Sequence, residues 1–558
     1  MGSGAGDRTV HRRCLRLPVR RASTSGCGPN LDRVGLRTAG GGHARRHLPA
    51  SIDPAGGRRR WGPDPGGGHD RIGRAAPAAR GGAGSLGLQR CSLSSVERLG
   101  PQDASFLYLE TPSVHQHVGG LAIVDPSTVP GGALRFADLV AVIGSRLHLA
   151  PRFRQKVVFP PINTVRPLWV DDANFDLDFH MRRAALPSPG GRAELIDYVQ
   201  RVISRPLDRT KPLWELYLIE GMQDGLAAIL TKVHHAMVDG IAAIDLASAM
   251  YDFAPSAHVL TPPPWEPEPE PDRATLLGDA IREGITHPLG GLVQFANRAL
   301  QAPSRVAAQI GEVLGGLREI LGGGVLAPEG PFNRPVGPNR RFAMVEAPVQ
   351  TLKDVKNALG GTVNDVVLAT AAGGLHGLLQ ARGEPTRDRV LRAMVPISVR
   401  ADSERTALGN RVSSMFVDLP IGEMGAKRRL RQITDRTRYL KESNTAVGAE
   451  FLINIGTWAP PTIHAMAARA ASRARLINLV VSNVPGPQVP MYIAGAKLLA
   501  QYPIMPIAEH MGLSIAVTSL AGTMAFGITA DWDTLPDIAV LAQAMEESLA
   551  SLRKSAGK

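Results

Sequence analysis

The sequence predicts a mixed α/β fold of two halves joined by a long linker, preceded by an extension without regular structure. Three observations predict it. From about residue 96 onward, stretches with helical spacing of apolar residues alternate with strand-like runs. A Pro-rich segment at 261–272, where Pro-Pro-Pro-Trp precedes alternating Glu and Pro, breaks that alternation once and reads as a stiff spacer. The first 95 residues carry neither periodicity for as much as a dozen residues.

That extension holds 17 Arg, no Lys, five Asp and no Glu, so 12 of the chain's 13 net positive charges lie in it. Rich in Gly and Pro as well, it cannot bury enough apolar surface to offset chain entropy and is expected to be disordered. A 95-residue stretch without Lys or Glu has the composition of translated GC-rich leader DNA. The expected start is therefore near Val96, read from a GTG codon; peptides from residues 1–90 in the native protein would overturn this. The remaining 46 basic and 45 acidic side chains nearly cancel. The overall charge of +13 thus ceases to suggest a nucleic-acid partner, and none is expected.

All three cysteines (Cys14, Cys27, Cys91) also fall in the extension. No disulfide framework or Cys-based zinc site can hold the main body together, which is compatible with cytoplasmic residence. No run approaches the roughly 18 apolar residues of a spanning helix, and the N-terminus lacks a secretory apolar core. Any membrane contact is expected to be peripheral.

The first half covers 96–260. Residues 106–110 read as extended and 118–124 as a strand, followed by helices at 134–149 and 192–203. Strand-like runs at 214–219 and 226–233 flank a turn at 221–225, and a helix is expected over 240–251. Residues 261–341 form the linker region, with amphipathic helical spacing from 273 to 321. The second half, 342–558, has strand-like runs at 391–397, 412–418, 477–482, 512–519 and 523–530. The last two flank Ala521-Gly522 and predict a hairpin. Helices are expected at 350–359, 364–381, 425–441 and 459–473.

Chemistry concentrates in His234-His235-Ala236-Met237-Val238-Asp239-Gly240. The residues up to Val233 read as a strand and Asp239 suits a helix N-cap, so both histidines sit at a strand-to-helix transition. On extended backbone adjacent side chains point to opposite faces, so one His can face a cavity while the other packs into the structure. Imidazole suits proton abstraction from a hydroxyl because it titrates near working pH. Taken bare, a histidine in such a place is more often a hydrogen-bonded core residue than a catalytic one. No HExxH-type spacing or cysteine partner accompanies it, so neither metal nor cofactor is expected. The chain has no G-x-S-x-G elbow and no core cysteine, so a covalent acyl-enzyme is not indicated.

The motif resembles the His-His-x-x-x-Asp-Gly signature of the CoA-dependent acyltransferase superfamily, and further blocks resemble its bacterial wax ester synthase/diacylglycerol acyltransferase family. They are Gln102-Asp103-Ala104-Ser105-Phe106-Leu107-Tyr108-Leu109-Glu110, Pro212-Leu213-Trp214-Glu215, and the basic segment from Asn333 to Phe342. Asn364-Asp365-Val366-Val367 and Ser482-Asn483-Val484-Pro485-Gly486-Pro487 complete the set. The resemblance covers about residues 96–550.

It implies two chloramphenicol-acetyltransferase-like halves with an interdomain channel. It also implies transfer of a long-chain acyl group from acyl-CoA, a substrate here, to diacylglycerol or a fatty alcohol. His235, the second histidine, is the implied general base, with His234 in support. Asp239 is implied to form a structural ion pair rather than a relay, with Arg400 the expected partner. Gly240 would allow a tight turn into the helix. Asn364 and Asp365 are implied supporting residues, although capping of the following helix explains them as well. Contact with the inner membrane face or lipid droplets would bring the enzyme to its acceptor. The rival readings are a condensation-type or polyketide-associated acyltransferase and a catalytically silent lipid-binding homologue.

Overall fold

The computed structural model describes residues 97–161, 165–238, 249–282, 326–398, 412–442 and 475–557, all within one compact unit, Gln89–Lys558. Its strands, in chain order, are β1 (His117–Asp125), β2 (Gln155–Val158), β3 (Leu168–Asp171), β4 (Met181–Ala185), β5 (Trp214–Glu220), β6 (Ala227–His234) and β7 (Arg340–Pro348). The second set is β8 (Val390–Ser398), β9 (Val412–Pro420), β10 (Leu479–Val484), β11 (Tyr492–Ile493), β12 (Ala496–Ile504), β13 (Leu513–Leu520) and β14 (Thr523–Asp531). They form two six-stranded mixed sheets, ordered β11-β12-β1-β6-β5-β4 and β7-β14-β13-β10-β8-β9, with β2 and β3 as a separate pair. The chain is thus mixed α/β with two sheets, as its sequence predicts.

Chain order and sheet membership part company at β11 and β12. These strands follow β10 of the second sheet, yet β12 pairs antiparallel with β1, Gly119 opposite Ile504 and Asp125 opposite Lys497. β12 also passes close to β14. A Cβ on Gly527 would lie 1.8 Å from the Pro503 carbonyl oxygen, so only glycine permits that approach.

Local physics explains most elements. The helix Arg192–Ile203 buries Leu195, Val199, Val202 and Ile203 on one stripe, and the Glu194 carboxylate accepts the Gly191 N–H at its start. The β13–β14 hairpin turns on Ala521 and Gly522 at φ 46° and 91°, the positive pair that a two-residue turn needs. The opening block departs from expectation. Residues 106–110 are not extended; Pro101–Leu109 is a helix. Pro101 at its first turn and Asp103 near its positive end favour helix there, while the alternation of Phe106 and Tyr108 imitates a strand.

Three large cores organise the described residues. One lies under the second sheet beneath the helices Val349–Leu359, Val363–Ala381, Ala426–Glu442 and Ile538–Ser555. Another underlies the first sheet. The third joins them: Leu121, Tyr217 and Leu230 of the first sheet meet Phe342, Met344 and Ala525 of the second, with the helix Arg192–Ile203 alongside. Among the described residues no helix is long and apolar enough to cross a membrane. The expected helix at 459–473, most of those at 240–251 and 273–321, and Arg400 lie outside the described residues; 273–282 is helical.

Candidate active site

The two histidines separate at the end of β6. His234 is the last residue of that strand and His235 opens a short 3₁₀ turn, His235–Met237. His234 is 1% exposed, and its Nδ1 accepts the Ala236 N–H at 3.0 Å, capping the turn. Its main-chain N–H donates to the Leu213 carbonyl at 2.9 Å, so the Pro212-Leu213-Trp214 block holds the motif directly. Trp214 is anchored in turn by its ring N–H on the Phe153 carbonyl at 2.8 Å.

His235 is partly exposed and lies flat against Phe106, ring centres 3.8 Å apart and planes 19° from parallel. Its main-chain N–H donates to the Gln116 carbonyl at 2.7 Å. Nδ1 is buried and makes no well-aligned hydrogen bond. Burial pushes the imidazole down to about 4. The ring is therefore neutral at neutral pH, the form a general base needs.

Around this pair sits a cluster that sequence reasoning did not assign. Glu110, at the end of the opening helix, is 12% exposed. Its Oε1 accepts the Gln116 N–H at 2.9 Å and lies 3.3 Å from His234 Nε2, off the line of a good hydrogen bond. The same oxygen is 3.8 Å from His117 Nε2, and Oε2 accepts from Arg209 at 2.6 Å. Burial alone would raise the carboxyl; the His234 ring, Arg209 and the Gln116 N–H together outweigh it and hold Glu110 well below the usual carboxylate range. Burial and the charge of Lys232 push His117 well below its ordinary value. Lys232 itself is 2% exposed and donates to the Val202 and Arg205 carbonyls at 3.1 and 2.6 Å, capping the C-terminal end of the helix Arg192–Ile203. The signal for Glu110 was its place in the first block, but a block match names no partner. Among the described residues no three His, Cys, Asp or Glu side chains are placed to hold a metal ion.

The second-half blocks meet one another. Asn364 Oδ1 accepts from Asn483 Nδ2 at 3.4 Å, joining the Asn-Asp block to the Asn-Val-Pro-Gly-Pro block. Asp365 is 2% exposed and closes a capping box: its Oδ2 accepts the Thr362 N–H and hydroxyl at 2.8 and 2.9 Å, and Oδ1 accepts the Thr437 hydroxyl at 2.7 Å. Within the basic block Arg340 reaches across to the Ser113 carbonyl at 2.5 Å while also binding the Gly337 and Asn339 carbonyls, so it ties the second half to the loop before β1. Asp239 and Gly240 lie outside the described residues. Two cavities bounded by described residues, about 20 Å³ each, are of water size. One is apolar, beside Trp214 and Val233; the other is lined by His115, His117, Lys232, Arg340 and Thr529 among others.

Comparison with known proteins agrees along the chain. Residues 99–367 match the wax ester synthase/diacylglycerol acyltransferase catalytic domain, and 408–553 match the C-terminal domain of that family. A putative diacylglycerol O-acyltransferase of Mycobacterium tuberculosis (strain CDC 1551 / Oshkosh) is 34% identical over 470 residues, 82% of this chain and 90% of that protein. A probable diacylglycerol O-acyltransferase of M. tuberculosis (strain ATCC 25618 / H37Rv) is 33% identical over 452 residues, 81% and 94% of the respective chains. Among solved structures, the wax ester synthase/diacylglycerol acyltransferase from Marinobacter aquaeolei VT8 superposes with a TM-score of 0.59 at 29% identity, over 83% of this chain and all of that one. With its two sheets, its histidine pair at the end of β6 and these matches, the chain belongs to the wax ester synthase/diacylglycerol acyltransferase family and is an acyltransferase.

Proposed function

We propose that the chain transfers a long-chain acyl group from acyl-CoA to the free hydroxyl of diacylglycerol, giving triacylglycerol and CoA, with His235 as general base. The observation that carries this reading is the His235 imidazole, kept neutral by burial and stacked on the Phe106 ring, with its main-chain N–H bound to the Gln116 carbonyl. The curated relatives named as diacylglycerol O-acyltransferases support the acceptor. Its place is triacylglycerol biosynthesis, within glycerol lipid metabolism. A fatty alcohol is the second acceptor, favoured by the name of the Marinobacter protein. Both acceptors present one hydroxyl on an apolar body.

With Nδ1 buried, Nε2 is the nitrogen left to meet the acceptor. It takes the hydroxyl proton as the oxygen attacks the thioester carbonyl. The tetrahedral intermediate collapses, the C–S bond breaks, and the imidazolium returns the proton to the leaving thiolate. A positioned base contributes ~10²–10⁴-fold in rate. The two substrates enter a channel between the halves from opposite sides. Asp239 and Gly240 shape the turn beyond His235, and Asn364 supports the reacting groups from the second half. No cofactor takes part. The chain works on the cytoplasmic side, in peripheral contact with the membrane or with lipid droplets, where its acceptor dissolves.

The test is release of free thiol from palmitoyl-CoA with and without dioleoylglycerol or hexadecanol. Acceptor-dependent release supports the reading, and its absence with both acceptors would defeat it. His235→Ala is expected to lower turnover by about a hundredfold or more; near-wild-type turnover would remove His235 as the base.

A further inference from the structure

We propose that Glu110 is a positioning residue: its carboxylate sets the tautomer of His234 and, through His234 and Gln116, fixes the main chain on both sides of His235. The inference rests on the assignment of His235 as base.

Two short routes lead from the carboxylate to the 3₁₀ turn. In the first, Oε1 accepts the Gln116 N–H at 2.9 Å, and the carbonyl of the same residue accepts the His235 N–H at 2.7 Å. The second runs through His234, whose Nδ1 accepts the Ala236 N–H at 3.0 Å. A ring nitrogen that accepts has a lone pair, so the proton of this neutral imidazole sits on Nε2. Nε2 faces Glu110 at 3.3 Å, and a negative oxygen there favours that tautomer over the one that would present N–H to Ala236. The residues before and after the reactive ring are therefore held by one carboxylate.

The carboxylate is held in its own place by charge. Arg209 binds Oε2 through two nitrogens, at 2.6 and 3.2 Å, and also donates to the Leu107 carbonyl at 3.1 Å. That guanidinium locks Glu110 to the last turn of the opening helix, which also carries Phe106. The groups facing Glu110 are His234 from the end of β6, His117 from β1, Arg209 from the segment after the helix Arg192–Ile203, and, farther off, His115. Misplacing a reacting group by about 1 Å costs ~10²-fold in rate, so loosening this frame falls on turnover rather than on substrate binding.

The experiment compares full-length wild type, Glu110→Ala, Glu110→Gln, Glu110→Asp and His235→Ala, with palmitoyl-CoA and dioleoylglycerol as substrates and rates normalised to folded protein by thermal melt. Glu110→Ala is expected to lower kcat about a hundredfold with KM for palmitoyl-CoA within about twofold. A loosened turn lets water reach His235, whose depressed value then rises back toward the ordinary one. The kcat/KM profile of Glu110→Ala should fall below about pH 6 while that of wild type stays flat. Glu110→Gln keeps an acceptor oxygen but not the charge and should lose about tenfold, and Glu110→Asp should recover part of the loss. If Glu110→Ala does not fold, Glu110→Gln decides alone by the same two readouts. Wild-type kcat in the Glu110 variants, or a loss with a wild-type pH profile, would overturn the inference while an inactive His235→Ala left the base in place. An active His235→Ala would remove both.

Discussion

Glu110 and Asp365 are two carboxylates withdrawn from solvent, Asp365 buried and Glu110 partly so, each in a block shared with the family, one in each half of the molecule. Asp365 is surrounded by neutral donors: the Thr362 N–H and hydroxyl and the Thr437 hydroxyl. None of these changes charge near neutral pH, and every contact is local to the start of one helix and its neighbour. Glu110 is surrounded by groups that do carry or exchange protons, two imidazoles and a guanidinium, drawn from three separate segments. The first arrangement fixes a helix start. The second fixes a reactive turn and the protonation of what flanks it. The degree of burial says little about the two roles; the chemistry of the partners sets them apart.

Three substitutions or conditions can break that comparison. The largest effect on the fold is expected from Asp365→Ala, which removes the shared acceptor of the Thr362 N–H, the Thr362 hydroxyl and the Thr437 hydroxyl and with it the capping box. It should lower unfolding free energy by about 3 kcal/mol, read from denaturant midpoints, with turnover per folded molecule within about threefold of wild type. A hundredfold loss of turnover would place Asp365 with Glu110 instead.

Acid should act next. His235 takes a proton at about 4 in the folded chain against 6.5 ordinarily, so the unfolded chain binds the proton first. The stability this contributes is complete above about pH 6.5 and is lost as pH falls to about 4. Glu110, held below the usual range, contributes stability above its ordinary value of about 4.5 and loses it at still lower pH. Wild type and His235→Ala should therefore differ in the slope of stability between those two His235 values, and wild type and Glu110→Gln below them. Equal slopes would show that the turn is open to water. The smallest effect is expected from Phe106→Leu, which keeps an apolar contact but not the stacked ring. Turnover should fall about threefold, the kinetic equivalent of the ~0.5–1.5 kcal/mol of a ring pair at its lower end.

Much of this was legible in the sequence because it is local. The helix over 192–203 follows from one stripe of Leu195, Val199, Val202 and Ile203, and the hairpin at Ala521-Gly522 from a turn pair between apolar runs. Separate roles for His234 and His235 were expected from alternation along extended backbone, but His235 opens a 3₁₀ turn and the strand ends at His234. The opening helix was misread because aromatic residues two apart mimic a strand over five residues. Partnerships between distant segments left no local trace. Nothing near Glu110 announces His117, His234 or Arg209, and nothing near residue 496 announces β1. The function of Lys232 was hidden in the same way, since a lysine beside the motif reads as a solvated charge until the Val202 and Arg205 carbonyls are found at its ammonium.

The position of β12 sets a condition on biosynthesis. A ribosome emits β1 almost four hundred residues before the strand that completes its hydrogen bonding, Gly119 finding Ile504 and Leu121 finding Tyr502. Until then one side of β1 is an open edge in a nascent polypeptide, able to pair with any extended segment that reaches it. The N-terminal half alone would leave that side of β1 without its partner strand. Completion of the sheet that ends in His234 thus waits on translation of residues 496–504.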